Sequence, residues 1–225
     1  MIRNSTTEDL CPLCRSGASV LFGTDRNRDY WRCPCCALVF VSRQQLPTAA
    51  QEKAEYDLHE NAPDDPGYRR FLSRLFQPLR QRVPQGAQGL DFGCGPGPTL
   101  SVMAAECGLK MRLYDPFYAP DEEVLTQRYD FITATEVVEH LHYPGEELDR
   151  LWQMLDHGGI LAIMTKLVID QQAFAHWHYK NDRTHVCFYS QQTFRWLAQK
   201  WNAHVAFLDK DVIFLQKRQQ NDKGE

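Results

Sequence analysis

The sequence predicts an α/β fold built on a mostly parallel sheet, with a small cysteine-held module in front of it. Three observations carry this. Short apolar runs near residues 90–92, 109–114, 129–135 and 160–165 are separated by helical stretches, the order that makes parallel sheets. A glycine-rich turn follows the first of these runs. Five of the eight cysteines fall within the first 36 residues.

The 225 residues suit one to two domains, and 43% hydrophobic with 12% aromatic content excludes wholesale disorder. The formal charge of −4 supplies no global basic field, which argues against a nucleic-acid partner held by phosphate contacts. The amino terminus is polar and no apolar run approaches the roughly 20 residues of a membrane span. The expectation is a soluble, cytoplasmic protein with no membrane partner.

Cys11-Pro-Leu-Cys14 and Cys33-Pro-Cys-Cys36 are two matched C-P-x-C turns. Clustered cysteines in a chain without a secretory signal point to metal rather than to disulfides. Four thiolates close a tetrahedral site, which suits structural zinc and leaves no position open for catalysis. The ligands expected are Cys11, Cys14, Cys33 and Cys36; Cys35 competes with Cys36, but Cys36 keeps the symmetry of the two turns. Between the turns, GASVLFG and RDYWR read as a hairpin around TDRN, and ALVFV adds a third strand. The arrangement resembles a zinc ribbon. Roughly 40 residues bury too little surface to fold alone, and zinc contributes on the order of 10–16 kcal/mol to such folding.

A short helix is expected after Thr48 as its N-cap. From Asp65 onward, Tyr68, Phe71, Leu72, Leu75, Phe76, Leu79 and Val83 recur at helical spacing, and Pro78 should bend or weaken that helix. Its arginines read as a solvated face balancing nearby carboxylates, with the helix capping the next domain.

LDFGCGPGP at 90–98 places Gly93, Gly95 and Gly97 between a strand and a helix. Without Cβ atoms a ligand can touch this backbone, and the helix N-terminus offers unpaired amides to an anionic group. Asp91 stands two residues before the first glycine, and Pro98 replaces the last glycine of G-x-G-x-x-G. A cationic ligand group suits that acid better than a pyrophosphate does. Asp115 ends the next strand, where an acid can accept ribose hydroxyls; its plainer reading is a turn-former before Pro116.

The glycine turn, Asp115, TEVVEHL at 135–141 and the HGG-led strand at 157–165 together resemble class I S-adenosylmethionine-dependent methyltransferases over residues 66–217. The ribbon in front is similar to one carried by some bacterial small-molecule and sugar methyltransferases. The resemblance implies a Rossmann-like, mostly parallel, seven-strand-type sheet and S-adenosyl-L-methionine as cofactor. It also implies that Asp91, Gly93, Gly95 and Gly97 hold the methionine moiety, Asp115 the ribose and Phe117 the adenine. Thr135 and Glu136 would line the sulfonium end, and His140 would stand beside the substrate. One departure is plain: the stretch from Asp115 to Asp130 is short, shrinking the third strand to about Val124-Leu125, with no adenine-binding acid after it.

HWHYKNDRTHVCFYS at 176–190 follows the fifth strand, at the ligand-crevice edge of an open α/β sheet. His176, His178, Tyr179, Asp182 and His185 there can position an acceptor, remove its proton or serve structure; the histidines are also a loose match to a second metal site. Asp182 with Thr184 also reads as a turn holding His185. His140 and His185 are the candidate bases. The expected organisation is a ribbon over 1–45, linker and capping helices over 46–88, a catalytic domain over 89–217 and a flexible tail over 218–225. The function expected is methyl transfer to a small-molecule acceptor. Alternatives are an RNA or protein methyltransferase docking through its ribbon, a non-catalytic zinc- and cofactor-binding protein and, more distantly, a nicotinamide-dependent reductase.

Overall fold

A computed structural model describes residues 10–58 and 62–219. The tail expected from 218 lies, beyond 219, outside the described residues. The amino-terminal module folds as β1 (Val20–Thr24), β2 (Asp29–Arg32) and β3 (Val39–Val41). α1 (Ala49–Tyr56) follows, its N-cap Thr48 completing a capping box with Gln51. In α2 (Pro66–Arg80), Leu72, Leu75, Phe76 and Leu79 are buried, and Asp65 caps the first turn. Pro78 falls in the last turn, so the helix ends soon after it rather than bending in the middle.

The larger part runs β4 (Gln88–Phe92), α3 (Thr99–Glu106), β5 (Lys110–Tyr114), β6 (Tyr129–Thr135), α4 (Pro144–Met154) and β7 (Leu155–Met164). It continues through α5 (Gln171–Ala175), β8 (Cys187–Phe188), α6 (Gln191–Trp201), β9 (His204–Phe207) and β10 (Val212–Gln216). Six strands form one sheet in the order β5-β4-β6-β7-β10-β9. β5, β4, β6 and β7 are parallel, and β10 runs antiparallel to both its neighbours.

The sheet has six strands where seven were expected. The segment read as a short third strand, Glu122–Thr126, is a 3-10 turn capped by Asp121, with Val124 its one buried residue. It is too short to cross over and pair, so β5 is left as the sheet edge. The HGG segment lies inside β7 as an irregularity: Gly158 has φ +81°, and the pairing skips from Leu155 to Ile160.

The ribbon is continuous with the rest of the molecule. Its sheet takes a fourth strand, β8, from the segment after β7, in the order β1-β2-β3-β8. Tyr30, Leu38 and Phe40 of the ribbon belong to the same buried cluster as Leu151, Ile163 and Phe188, while α2 and α3 cover the other face of the large sheet.

Candidate active site

The glycine turn leaves β4 with Gly93 at φ +76° and Gly95 at φ +63°, a region L-side chains rarely adopt. A Cβ on Gly93 would stand 2.5 Å from Val137 Cγ2, whereas one on Gly95 would meet nothing within 4 Å, because that position opens onto a cavity. The cavity measures about 740 Å³, within the range of small-ligand sites. Asp91, Gly93, Gly95, Gly97, Asp115, Phe117, Thr135, Glu136, His140, Asp182 and His185 all line it. α1 and α2 supply the opposite wall through Glu52, Tyr56, Tyr68 and Phe71.

Asp115 forms the turn weighed from sequence and also lines the cavity. One carboxylate oxygen accepts the Gly95 amide at 3.0 Å; the other accepts the amides of Phe117 and Tyr118 at 2.8 and 3.1 Å. A carboxylate has about four acceptor sites, so about one remains for a ligand hydroxyl. Asp91 is buried, and Thr133 Oγ1 donates to it at 2.7 Å. Burial pushes its carboxyl up to about 6, with the Asp115 charge adding to the rise.

At the other end, Glu136 sits at φ +53°, strained for a side-chain-bearing residue, with its amide donating to Met164 O at 2.8 Å. Burial raises its carboxyl to about 7, against the pull of nearby Lys166. His140 and His185 face each other with ring centroids 4.7 Å apart. His140 Nδ1 lies 3.2 Å from Thr184 O, and His185 Nδ1 2.7 Å from Tyr179 O. A carbonyl only accepts, so each Nδ1 carries a hydrogen. Burial lowers the His185 pKa and keeps that ring neutral. Asp182 forms the expected turn, accepting from the Thr184 amide and hydroxyl, with its second oxygen 3.6 Å from His185 Nε2.

His176 and His178, expected against the substrate, do not reach the cavity. Both are exposed, because α5 and the turn over 178–181 point them to solvent; His178 sits 3.4 Å from Lys166 Nζ. Tyr179 is buried behind the cavity wall, its hydroxyl donating to Glu139 and lying 3.4 Å from Glu136. Glu139 itself was passed over within TEVVEHL. Arg28 was also missed: its guanidinium, only 6% exposed, donates to the carbonyls of Lys180, Asp182, Arg183 and His185. It thereby ties the ribbon hairpin to the loop carrying His185.

The sulfurs of Cys11, Cys14, Cys33 and Cys36 lie within 4.8 Å of one another, with Cys35 exposed outside the group. Four thiols this close cannot all ionise without a cation. Burial raises Cys14 to about 12, and the contact with Cys11, whose thiol is lowered by the same contact, drives Cys36 higher still. The donor set fits tetrahedral zinc.

No helix among the described residues is long and apolar enough to cross a membrane. No curated protein sequence matches the chain. Among solved structures it is similar to a chain in the complex between the Haloferax volcanii Trm112 methyltransferase activator and a methyltransferase (12% identity, 69% of this chain and 95% of that one, TM-score 0.45). It is also similar to an O-methyltransferase family protein from Burkholderia thailandensis (12%, 80% and 66%, TM-score 0.49). A third is the N-methyltransferase NodS from Bradyrhizobium japonicum WM9 (14%, 69% and 99%, TM-score 0.44). Residues 65–206, more than half of the chain, match the family model described as a methyltransferase domain, and they contain the glycine turn, both acids and both histidines of the cavity. The chain therefore belongs to the methyltransferase-domain family.

Proposed function

We propose that the chain methylates a small-molecule acceptor inside this one cavity, with its ribbon holding a structural zinc. The observation that carries the reading is the meeting of two unlike ends in a single space: a glycine cradle flanked by Asp91 and Asp115, and a histidine pair beside Glu136. S-adenosylmethionine supplies an activated methyl group on sulfur. Asp91 would hold its ammonium, the Gly93–Gly97 backbone its carboxylate, Asp115 a ribose hydroxyl and Phe117 the adenine side. Thr135 and Glu136 would border the sulfonium, with His140, His185 and Asp182 against the acceptor. The bare Gly95 position and a buried carboxylate that lacks a cation both fit such a ligand. The protein's own work is alignment and exclusion of water, since the donor needs little further activation.

The acceptor is read as small because α1 and α2 roof the cavity. The ribbon, moreover, shares its sheet with β8 and holds the loop carrying His185 instead of standing off as a docking arm. Arg69 and Arg74 of α2 are paired with Glu106 and Asp211, which weakens a basic stripe for RNA.

Asp91 gives the test. Its folded pKa is raised above the unfolded value, so its contribution to stability is full below about 4 and lost as pH rises through about 6. At neutral pH the buried charge costs on the order of 3 kcal/mol. Asp91→Asn is therefore expected to raise the melting temperature of ligand-free protein by about 6–12 °C. It should also weaken S-adenosylmethionine binding at least ~10-fold. In the unsubstituted chain, affinity should fall as pH drops from 7 to 5, because binding the ammonium needs the carboxylate charged. Calorimetric titration across that range checks this; a flat affinity profile would remove Asp91 from the ligand.

A further inference from the structure

Glu139 presents an unexplained oxygen at the acceptor end of the cavity. The residue is fully buried; its Oε1 accepts the Tyr179 hydroxyl, and its Oε2 has no hydrogen-bond partner among the described residues. A buried carboxylate oxygen left unpaired costs about 1–3 kcal/mol or more, and calls for a physical reason. A carboxylate oxygen of Glu139 and one ring nitrogen each of His140 and His185 lie within 4.8 Å of one another. The two imidazoles are already oriented as metal-binding histidines are, with Nδ1 donating to a backbone carbonyl and the Nε2 lone pair as the ligand atom. Glu136 adds a second carboxyl close by, reached through the same Tyr179 hydroxyl.

We propose that Glu139, His140 and His185 bind a divalent first-row transition cation, and that this ion takes the acceptor through an oxygen. One carboxylate and two imidazoles form a borderline donor set, suited to zinc, manganese or iron(II) rather than to an all-oxygen cation site. Three protein ligands leave further positions open, and His140 and His185 line the cavity, so those positions face the space where the acceptor sits. The crowding agrees: Glu139 is fully buried, and the Glu136 carboxyl approaches the same Tyr179 hydroxyl. A cation relieves both.

The inference deepens the methyl-transfer reading and rests on it. An acceptor hydroxyl bound to the ion becomes more acidic and releases its proton to solvent. Its oxygen then forms the new bond to the methyl carbon, the carbon–sulfur bond breaks, and the electron pair stays on sulfur, leaving a neutral thioether. His140 and His185 thus act on the acceptor through the ion rather than as proton-accepting bases. Alcohols or phenols are the acceptor class this selects.

The test separates the ion from the chemistry. Protein dialysed against micromolar zinc should carry two metals per chain by elemental analysis, one in the ribbon and one here. Glu139→Gln and His140→Gln should each carry one, with S-adenosylhomocysteine binding within about twofold of the unsubstituted chain. Should Glu139→Gln unfold, His140→Gln, at the cavity wall, decides alone. In the unsubstituted protein, a second equivalent of cobalt(II) added after the ribbon is filled should give visible bands without thiolate charge transfer. A single metal in the unsubstituted chain, or two retained in the variants, overturns the proposal. Loss of homocysteine-nucleoside binding in the unsubstituted chain would instead overturn the reading of the cavity itself.

Discussion

Cys14→Ser is expected to lower methyl transfer by at least ~100-fold, although Cys14 does not line the cavity. The reason is the ribbon's place in the fold. β3 pairs with β8 through Val39–Phe188 and Phe40–Cys187, so a ribbon that loses its metal loses the strand immediately following His185. Arg28 holds the carbonyls of residues 180, 182, 183 and 185, and Lys180 pairs with Asp25 of the same hairpin at 3.2 Å. Phe174 packs its ring against Phe22 and Tyr30. Without zinc, on the order of 10 kcal/mol of coupled folding energy is missing from the module that holds the 178–188 loop on this side. A displacement of about 1 Å at His185 alone is worth roughly 100-fold in rate. Arg28→Met makes the same point with the zinc site intact: the turnover number should fall about 10- to 100-fold while zinc content and cofactor affinity hold. Metal analysis, cofactor titration and single-turnover rates check both variants; full activity in zinc-free protein would mean the ribbon is an appendage.

Asp115→Ala should weaken S-adenosylhomocysteine binding by ~100-fold or more. This carboxylate is the node of the cofactor end. It satisfies the amides of Gly95, Phe117 and Tyr118, thereby fixing the glycine turn and the loop that presents Phe117. Removing it strands three backbone donors at roughly 1–3 kcal/mol each if they stay buried, and it deletes the remaining acceptor site for a ribose hydroxyl. Asp115→Asn is expected to be nearly as severe, because its amide nitrogen would face backbone donors. Calorimetry on the two variants should show the affinity loss with near-native far-ultraviolet dichroism. Unchanged affinity would assign Asp115 to loop structure alone.

The parts of this site legible in sequence are those written in local chemistry. The two C-P-x-C turns, the Thr48 cap and the Asp91-x-Gly-x-Gly-x-Gly run each depend on residues a few positions apart, and the structure groups the four cysteines, forms the cap and places Asp91, Gly93, Gly95 and Gly97 on the cavity. The parts that were not legible depend on distance. Arg28 meets its carbonyl partners more than 150 residues away, and β8 is a two-residue strand with no periodicity to detect. Tyr68 and Phe71 read as a core stripe because helical spacing cannot tell a core-facing position from a cavity wall. His176 and His178 attracted attention by their density, but the short 3-10 turn over 178–181 turns the chain so that only Asp182 and His185 face inward. Glu139 was hidden by its neighbours in TEVVEHL, where only burial and its unpartnered oxygen distinguish it.

The account's central claim is that the glycine cradle and its two acids bind the methyl-donor nucleoside. Direct calorimetric titration of the purified chain with S-adenosylhomocysteine and, in parallel, with NADH tests it. Micromolar binding of the first at about one per chain, lost in Asp115→Ala, and no binding of the second is the expected result; binding of NADH alone would contradict the account.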